Sequence, residues 1–439
     1  MFFAPGFRKE QTMEKTKLPT GERLYRKLLP NGLLCFVLPK PKFLRTYAVL
    51  STHYGSLDSK FRVPDVGTWD VPAGIAHFLE HKLFEEEDGN AFERFAAWGA
   101  SVNAFTSYTQ TSYLFSATEQ WQDCLVQLIE FVNSPHLTAE NVEKEKGIIV
   151  QELQMYADHP NYRSHLQLLE NMYHEHPVRL DIGGTVDSVQ HITVEDLFRC
   201  YDTFYQPANM ALAVVGDVDP AGTLELIEAN YPPWERSTAA FERLHPDEPQ
   251  GVVKNWVEGQ LPVSQPRYLL GFKHKPLWQG EELLRQQIIM SIALRLIAGR
   301  SSTSYGELYE ANLITDSFGA SFNADPGYAY SVIGSETRDP RALHDALSAI
   351  IDGLKARAVS PEDVERLKRQ LYGAHLASFE SFEYTANRLI SHYFNGTPYQ
   401  GYLDLLQSVT AGDVQEALVS QLDWDRAAVS VISPVQGDD

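Results

Sequence analysis

Apolar positions along the chain fall into short runs separated by turn residues, and the period of each run predicts its element. Leu33-Leu34-Cys35-Phe36-Val37-Leu38 is a continuous apolar run of strand length. Pro30-Asn31-Gly32 before it is a turn signal, so a hairpin is predicted over roughly 26–38. Thr46 to Tyr54 reads as a second strand, ended by Gly55. A helix is predicted from about Ile75 to Glu86, then a short one capped by Asn90 and stopped at Gly99. Ser101–Thr106 and Thr111–Ser116 read as a hairpin around Ser107-Tyr108. Glu119–Asn133 is amphipathic and ends at Ser134-Pro135. Thr138 caps a long predicted helix to about Asp158, with Asn141 at its third position. Helices at roughly 162–173, 194–204 and 220–229, and a strand at 209–215 ended by Gly216, complete the first half.

Between Pro232 and Pro266 six prolines punctuate a polar stretch without clear period, as in an interdomain connection. The pattern then restarts. Strands are predicted at 268–272, 327–333 and 427–432, and helices at 281–297, 340–356 and within 361–389. Gln206–Val215 and Leu422–Ile432 lead into their closing strands in much the same way, as an old duplication would. The expected organisation is therefore a tail at 1–22, a first domain at 23–231, a linker at 232–266 and a second domain at 267–439. The expected fold class is α+β, two similar mixed α/β domains. The length of 439 residues agrees, since single cores stop growing at about 250–300 residues.

Composition narrows the function. A formal net charge of −21 opposes a nucleic-acid partner. No apolar run approaches the about 18–20 residues that span a bilayer, so no membrane is expected. The first residues lack the apolar core of a secretory signal, and Met13 is an alternative start. Cys35, Cys124 and Cys200 form no CxxC pair, which fits a reduced, cytoplasmic protein.

Chemistry concentrates at His77-Phe78-Leu79-Glu80-His81. Two histidines at i and i+4 on a helix lie about 40° apart around its axis, so both imidazoles reach one metal ion. Glu80 is offset to the side of that pair, where a carboxylate can hold a water on the metal. This is H-x-x-E-H, the inverzincin arrangement. A catalytic zinc needs three protein ligands and an open fourth position. Glu143, Glu145 and Glu152 on the long helix are the carboxylates available for the third. Glu143 belongs to a solvated run, whereas Glu145 and Glu152 share a face two turns apart, with Glu152 in the more apolar section.

With Gly74-Ile-Ala-His-Phe-Leu-Glu-His-Lys-Leu-Phe84 and Glu145-Lys-Gly-Ile-Ile-Val-Gln-Glu152, the whole chain resembles the pitrilysin/insulinase (M16-type) zinc metallopeptidases, and within them a bacterial cytosolic branch. The resemblance implies that His77, His81 and Glu152 bind Zn2+, that Glu80 is the general base, and that Glu145 supports the site from behind. It implies that Asn103, Ala104 and Phe105 belong to an edge strand onto which an unfolded peptide adds. It also implies a clamshell-type chamber of which this chain is one half. Family members carry an Arg/Tyr pair in the second half. In the matching stretch, Leu308 to Asp316, Tyr309 stands where the Arg would be, and Thr315 and Asp316 where the Tyr would be. The expected partner is therefore a related M16-type chain supplying that pair, as a hetero- or homodimer. A dedicated peptide-precursor processing subunit and a non-catalytic peptide-binding protein are the alternative readings.

Overall fold

The computed structural model describes residues 13–87, 89–234, 240–275 and 278–435. The first half runs β1 Glu14–Lys17, β2 Arg23–Leu28, β3 Leu34–Pro39, β4 Thr46–Thr52, α1 Ile75–Leu83, α2 Ala91–Ala97, β5 Ser101–Thr106 and β6 Thr111–Ala117. Then come α3 Trp121–Asn133, α4 Ala139–Ala157, α5 Pro160–Met172, α6 Val194–Phe204, β7 Met210–Gly216 and α7 Pro220–Asn230. The second half runs β8 Trp256–Leu261, β9 Arg267–Lys273, α8 Gly280–Ala298, α9 Thr303–Glu310, β10 Gly319–Asp325 and β11 Tyr328–Glu336. It ends with α10 Pro340–Ala356, α11 Pro361–Ser378, α12 Phe382–Phe394, α13 Ala411–Gln421 and β12 Ala427–Pro434. Of the expected tail, residues 1–12, with the question of its start, lie outside the described residues. Residues 14–17 are strand β1, paired with β2.

The chain divides into two compact units. The first comprises Met1–Gly147, Asp187–Leu244 and Leu376–Ser391, and the second the remainder. In the first, a seven-stranded sheet has the order β1-β2-β3-β7-β4-β6-β5. β4 and β7 are buried at every position, which is why β7 and the centre of β4, Tyr47–Leu50, read as apolar runs without alternation. In the second, a five-stranded sheet has the order β8-β12-β9-β11-β10. Its core gathers Tyr268, Phe272, Ile288, Ile292, Leu343 and Leu347.

The two sheets repeat one another. β3-β7-β4-β6-β5 matches β8-β12-β9-β11-β10 strand for strand, the first pair parallel in both and the rest antiparallel. In each, a 3-10 turn, Pro207–Asn209 or Trp424–Arg426, feeds the strand that closes the unit.

The units divide differently from the expected 23–231, 232–266 and 267–439. Residues 148–186 join the second unit because α5 packs on β12 and β9. Residues 376–391 return to the first, where Lys40 Nζ donates to Phe379 O at 2.7 Å and Asn387 Nδ2 to the Tyr47 hydroxyl at 3.1 Å. The expected linker holds β8, an edge strand paired with β12. Its Gly259 and flanking prolines hide its period.

Two buried histidines in the second unit are expected to make its stability pH-dependent. Burial, with the His245 and Lys273 charges, pushes the His176 imidazole down to about 4, and burial beside Arg426 pushes His274 down to about 3. His176 Nδ1 accepts from Val178 N at 3.2 Å, so protonating it sets donor against donor. The unfolded chain binds these protons from about pH 6.5 downward and the native chain does not, so stability falls as pH drops below 6.5 and levels off near the folded values. The loss at the acid end is on the order of 3 kcal/mol for His176 and about 5 kcal/mol for His274. Urea midpoints from pH 7 to 5 read its onset, roughly 2 kcal/mol per histidine by pH 5. The slope should flatten in a His176→Gln variant, and an unchanged slope refutes the assignment.

Candidate metal centre

Helix α1 starts from Gly74, whose φ of 91° is a left-handed conformation that favours glycine. The helix is almost wholly packed away. Ile75, Ala76, Phe78, Leu79, Glu80, Lys82 and Leu83 are buried, and only His77 and His81 are half-exposed. Their rings lie 4.6 Å apart at 67°. Helix α4 begins with reciprocal caps, Asn141 N donating to Thr138 Oγ1 at 3.2 Å and Thr138 N to Asn141 Oδ1 at 3.0 Å. The cap sets the rotation of the helix on which Glu145 and Glu152 sit.

The two helices bring together the histidines and the distant carboxylate. His77, His81 and Glu152 each offer one ligand atom, and these atoms all lie within 4.8 Å of one another. Glu145 takes a different place. Its Oε1 meets His81 Nδ1 at 2.9 Å, so Nδ1 carries the proton and Nε2 is the nitrogen left to bind a metal. Burial alone would raise the Glu145 carboxyl, but the His81 hydrogen bond and the His81 and Lys82 charges hold it below its usual value. Lys82 is fully buried, pairs with Glu85, lies 3.9 Å from Glu145 and donates to Asn141 O at 3.3 Å.

Glu80 is 9% exposed, and its Oε2 accepts from the Thr106 hydroxyl at 2.7 Å. Thr106 ends β5, the outermost strand of its sheet, which also carries Asn103, Ala104 and Phe105. The Ala104 N–H is held by the Asn103 side-chain oxygen at 2.9 Å, so that N–H points off the open edge rather than toward β6. Thr106 and Lys82 are the partners that sequence reasoning missed. Both lie inside the strings that marked the site, but their contacts depend on strand register and helix packing.

The family description "Insulinase (Peptidase family M16)" matches residues 69–186, and "Peptidase M16 inactive domain" matches residues 191–371. The chain is 40% identical over 420 residues to the Bacillus subtilis "Uncharacterized zinc protease YmfH", covering 94% of this chain and 97% of that one. It belongs to peptidase family M16.

Other members agree. The crystal structure of a putative M16-like peptidase from Alicyclobacillus acidocaldarius superposes with a TM-score of 0.92 at 36% identity, over 96% of this chain and all of that one. The Escherichia coli "Probable zinc protease PqqL" is 30% identical over 318 residues, 65% of this chain and 33% of its own. The PqqL crystal structure shares the fold at a TM-score of 0.75 and 23% identity, over 96% of this chain and 48% of PqqL. This chain thus has the architecture of one half of a clamshell peptidase. No described helix is long and apolar enough to cross a membrane.

Proposed function

We propose that this chain is the zinc-bearing subunit of an endopeptidase that hydrolyses unfolded peptides. The observation that carries the reading is the convergence of His77, His81 and Glu152 within 4.8 Å, beside a second, buried carboxylate on Glu80. Two imidazoles and a carboxylate are a donor set for catalytic zinc with a fourth position open. When bound, zinc would polarise the scissile carbonyl and lower the pKa of a water towards about 7.

The chain's own residues do the rest. Glu80 takes the proton from the attacking water and passes it to the leaving amine. The Thr106 hydroxyl keeps the Glu80 carboxylate turned to that task. Glu145 fixes the tautomer and orientation of His81. Along β5, Asn103, Ala104 and Phe105 receive the substrate as an added strand, with backbone bonds giving affinity and little demand on side chains. The Asn103 oxygen on the Ala104 N–H gives way to a substrate carbonyl.

Tyr309 lies on α9 and is 54% exposed, in the half that matches the inactive-domain description. We read the Arg/Tyr pair as coming from a second, related chain. Three buried free cysteines support a reducing, cytoplasmic home.

The metal is tested by zinc content. The purified protein should hold one equivalent of zinc by mass spectrometry, and a His77→Ala variant should not. A zinc-loaded wild type and variant that bind metal alike would sink the assignment. Glu145→Gln is expected to weaken zinc binding about 10–100-fold in competition with a chromophoric chelator, because His81 Nδ1–H exchanges a charged acceptor for a neutral one. Unchanged affinity would leave Glu145 a bystander.

A further inference from the structure

In the second unit a cavity of about 470 Å³ opens between α5 and β8. That is the size of a ligand site. Residues 257–261 of β8 form one wall without a break, and α5 supplies Arg163, Gln167 and Glu170 to the other. β8 is the last strand of its sheet, and among the described residues no strand pairs with its outer edge. Val429 N bonds Asn255 O at 2.8 Å and Val435 N bonds Leu261 O at 3.2 Å, so the odd-numbered residues of β8 face β12. The backbone groups of Glu258 and Gln260 then face outward. A groove with a strand edge on one side and a helix on the other accepts an extended chain by strand addition. A Cβ on Gly259 would come within 2.8 Å of Gln167 Oε1 and 2.9 Å of Ile432, so only glycine lets α5 and β12 side chains pack this close to the strand.

The charge of the groove selects its occupant. Arg163 is paired with Glu170 at 3.4 Å, and Glu258 with Arg341 at 3.2 Å. Asp181 is different, because the donors on its Oδ1 are neutral: the Tyr162 hydroxyl and Gly183 N, both at 2.8 Å. Burial raises its carboxyl, and with neutral donors on it Asp181 is an acid whose charged form a cation would stabilise. The groove lining also reaches α4, the helix that carries Glu152. Ala157, in its lining, lies five residues beyond Glu152 on α4. Five residues of helix rise about 7–8 Å, the reach of two to three residues of extended peptide.

We propose that this groove anchors an extended, basic peptide segment, a Lys or Arg side chain meeting Asp181 with Glu170 beside it. Resting on the peptidase reading, the segment is the part of the substrate a few residues from the scissile bond.

The test reads binding rather than cleavage. Fluorescence anisotropy compares two labelled, unstructured peptides that differ only in one Lys or norleucine, on zinc-loaded Glu80→Gln protein. The Lys peptide is expected to bind about tenfold tighter. Asp181→Asn should erase that difference. Glu170→Lys, at a partly exposed side chain that pairs with Arg163, should reverse it in favour of a Glu peptide. Equal binding of the Lys and norleucine peptides overturns the proposal, as does an unchanged preference in Glu170→Lys. A Lys preference in protein whose zinc-loaded wild type cleaves nothing, even with a related chain carrying the Arg/Tyr pair added, keeps the groove and rejects the peptidase reading.

Discussion

Replacing Glu80 by glutamine is expected to lower kcat on an unstructured fluorogenic peptide by about 10³-fold, within the range for losing a general base. Zinc content and KM should stay near wild type, because the amide keeps the shape of the side chain and still accepts from Thr106. Glu80 is itself buried on a helix whose Phe78 and Leu79 are 0% exposed, so a larger change would confound chemistry with folding. Turnover in the variant within a few-fold of wild type would remove Glu80 from the mechanism. Loss of zinc together with activity would reassign it to the metal site.

The second large effect concerns the missing donors. The purified chain alone is expected to turn over peptide about 10²–10³-fold more slowly than the chain mixed with a related one carrying the Arg/Tyr pair, the span attributed to losing a donor to the developing oxyanion. The gain should appear in kcat, should vanish with a chelator, and should not require H-x-x-E-H in the added chain. Full zinc-dependent activity from a strictly homodimeric preparation would refute it and assign the donors to residues already here.

What the residues disclosed depended on how local each feature is. The H-x-x-E-H string is legible because both histidines are fixed by one helical turn, and α1 forms where its period places it. The caps of α2 and α4 were legible for the same reason. Asn90 accepts from Phe92 N, and Thr138 and Asn141 bond one another. Glu152 is 71 residues from His81, and only the family resemblance singled it out. Thr106 escaped because its bond to Glu80 follows from the register of β5 on β6, which no single strand announces. β10 escaped because, although Ala320, Phe322 and Ala324 alternate with polar residues, two of the three are alanines that give this edge strand little apolar weight. Unit boundaries were least legible. α5 follows α4 after two residues yet packs on the sheet of the other half, and an amphipathic face does not say which sheet will cover it.

The repeated sheet order has an evolutionary consequence. Where the first unit places α1, with a buried glutamate and a buried lysine, the second places α8, whose buried positions are Leu283, Leu284, Ile288, Ile289, Met290, Ile292, Ala293, Leu294, Ile297 and Ala298. The same strand order thus closes over a helix that carries chemistry and over one that carries only hydrocarbon. Descendants of the ancestral unit could therefore lose their metal ligands one at a time without passing through an unfolded form, and a lineage of non-cutting sister chains would remain fit to pair with those that still cut.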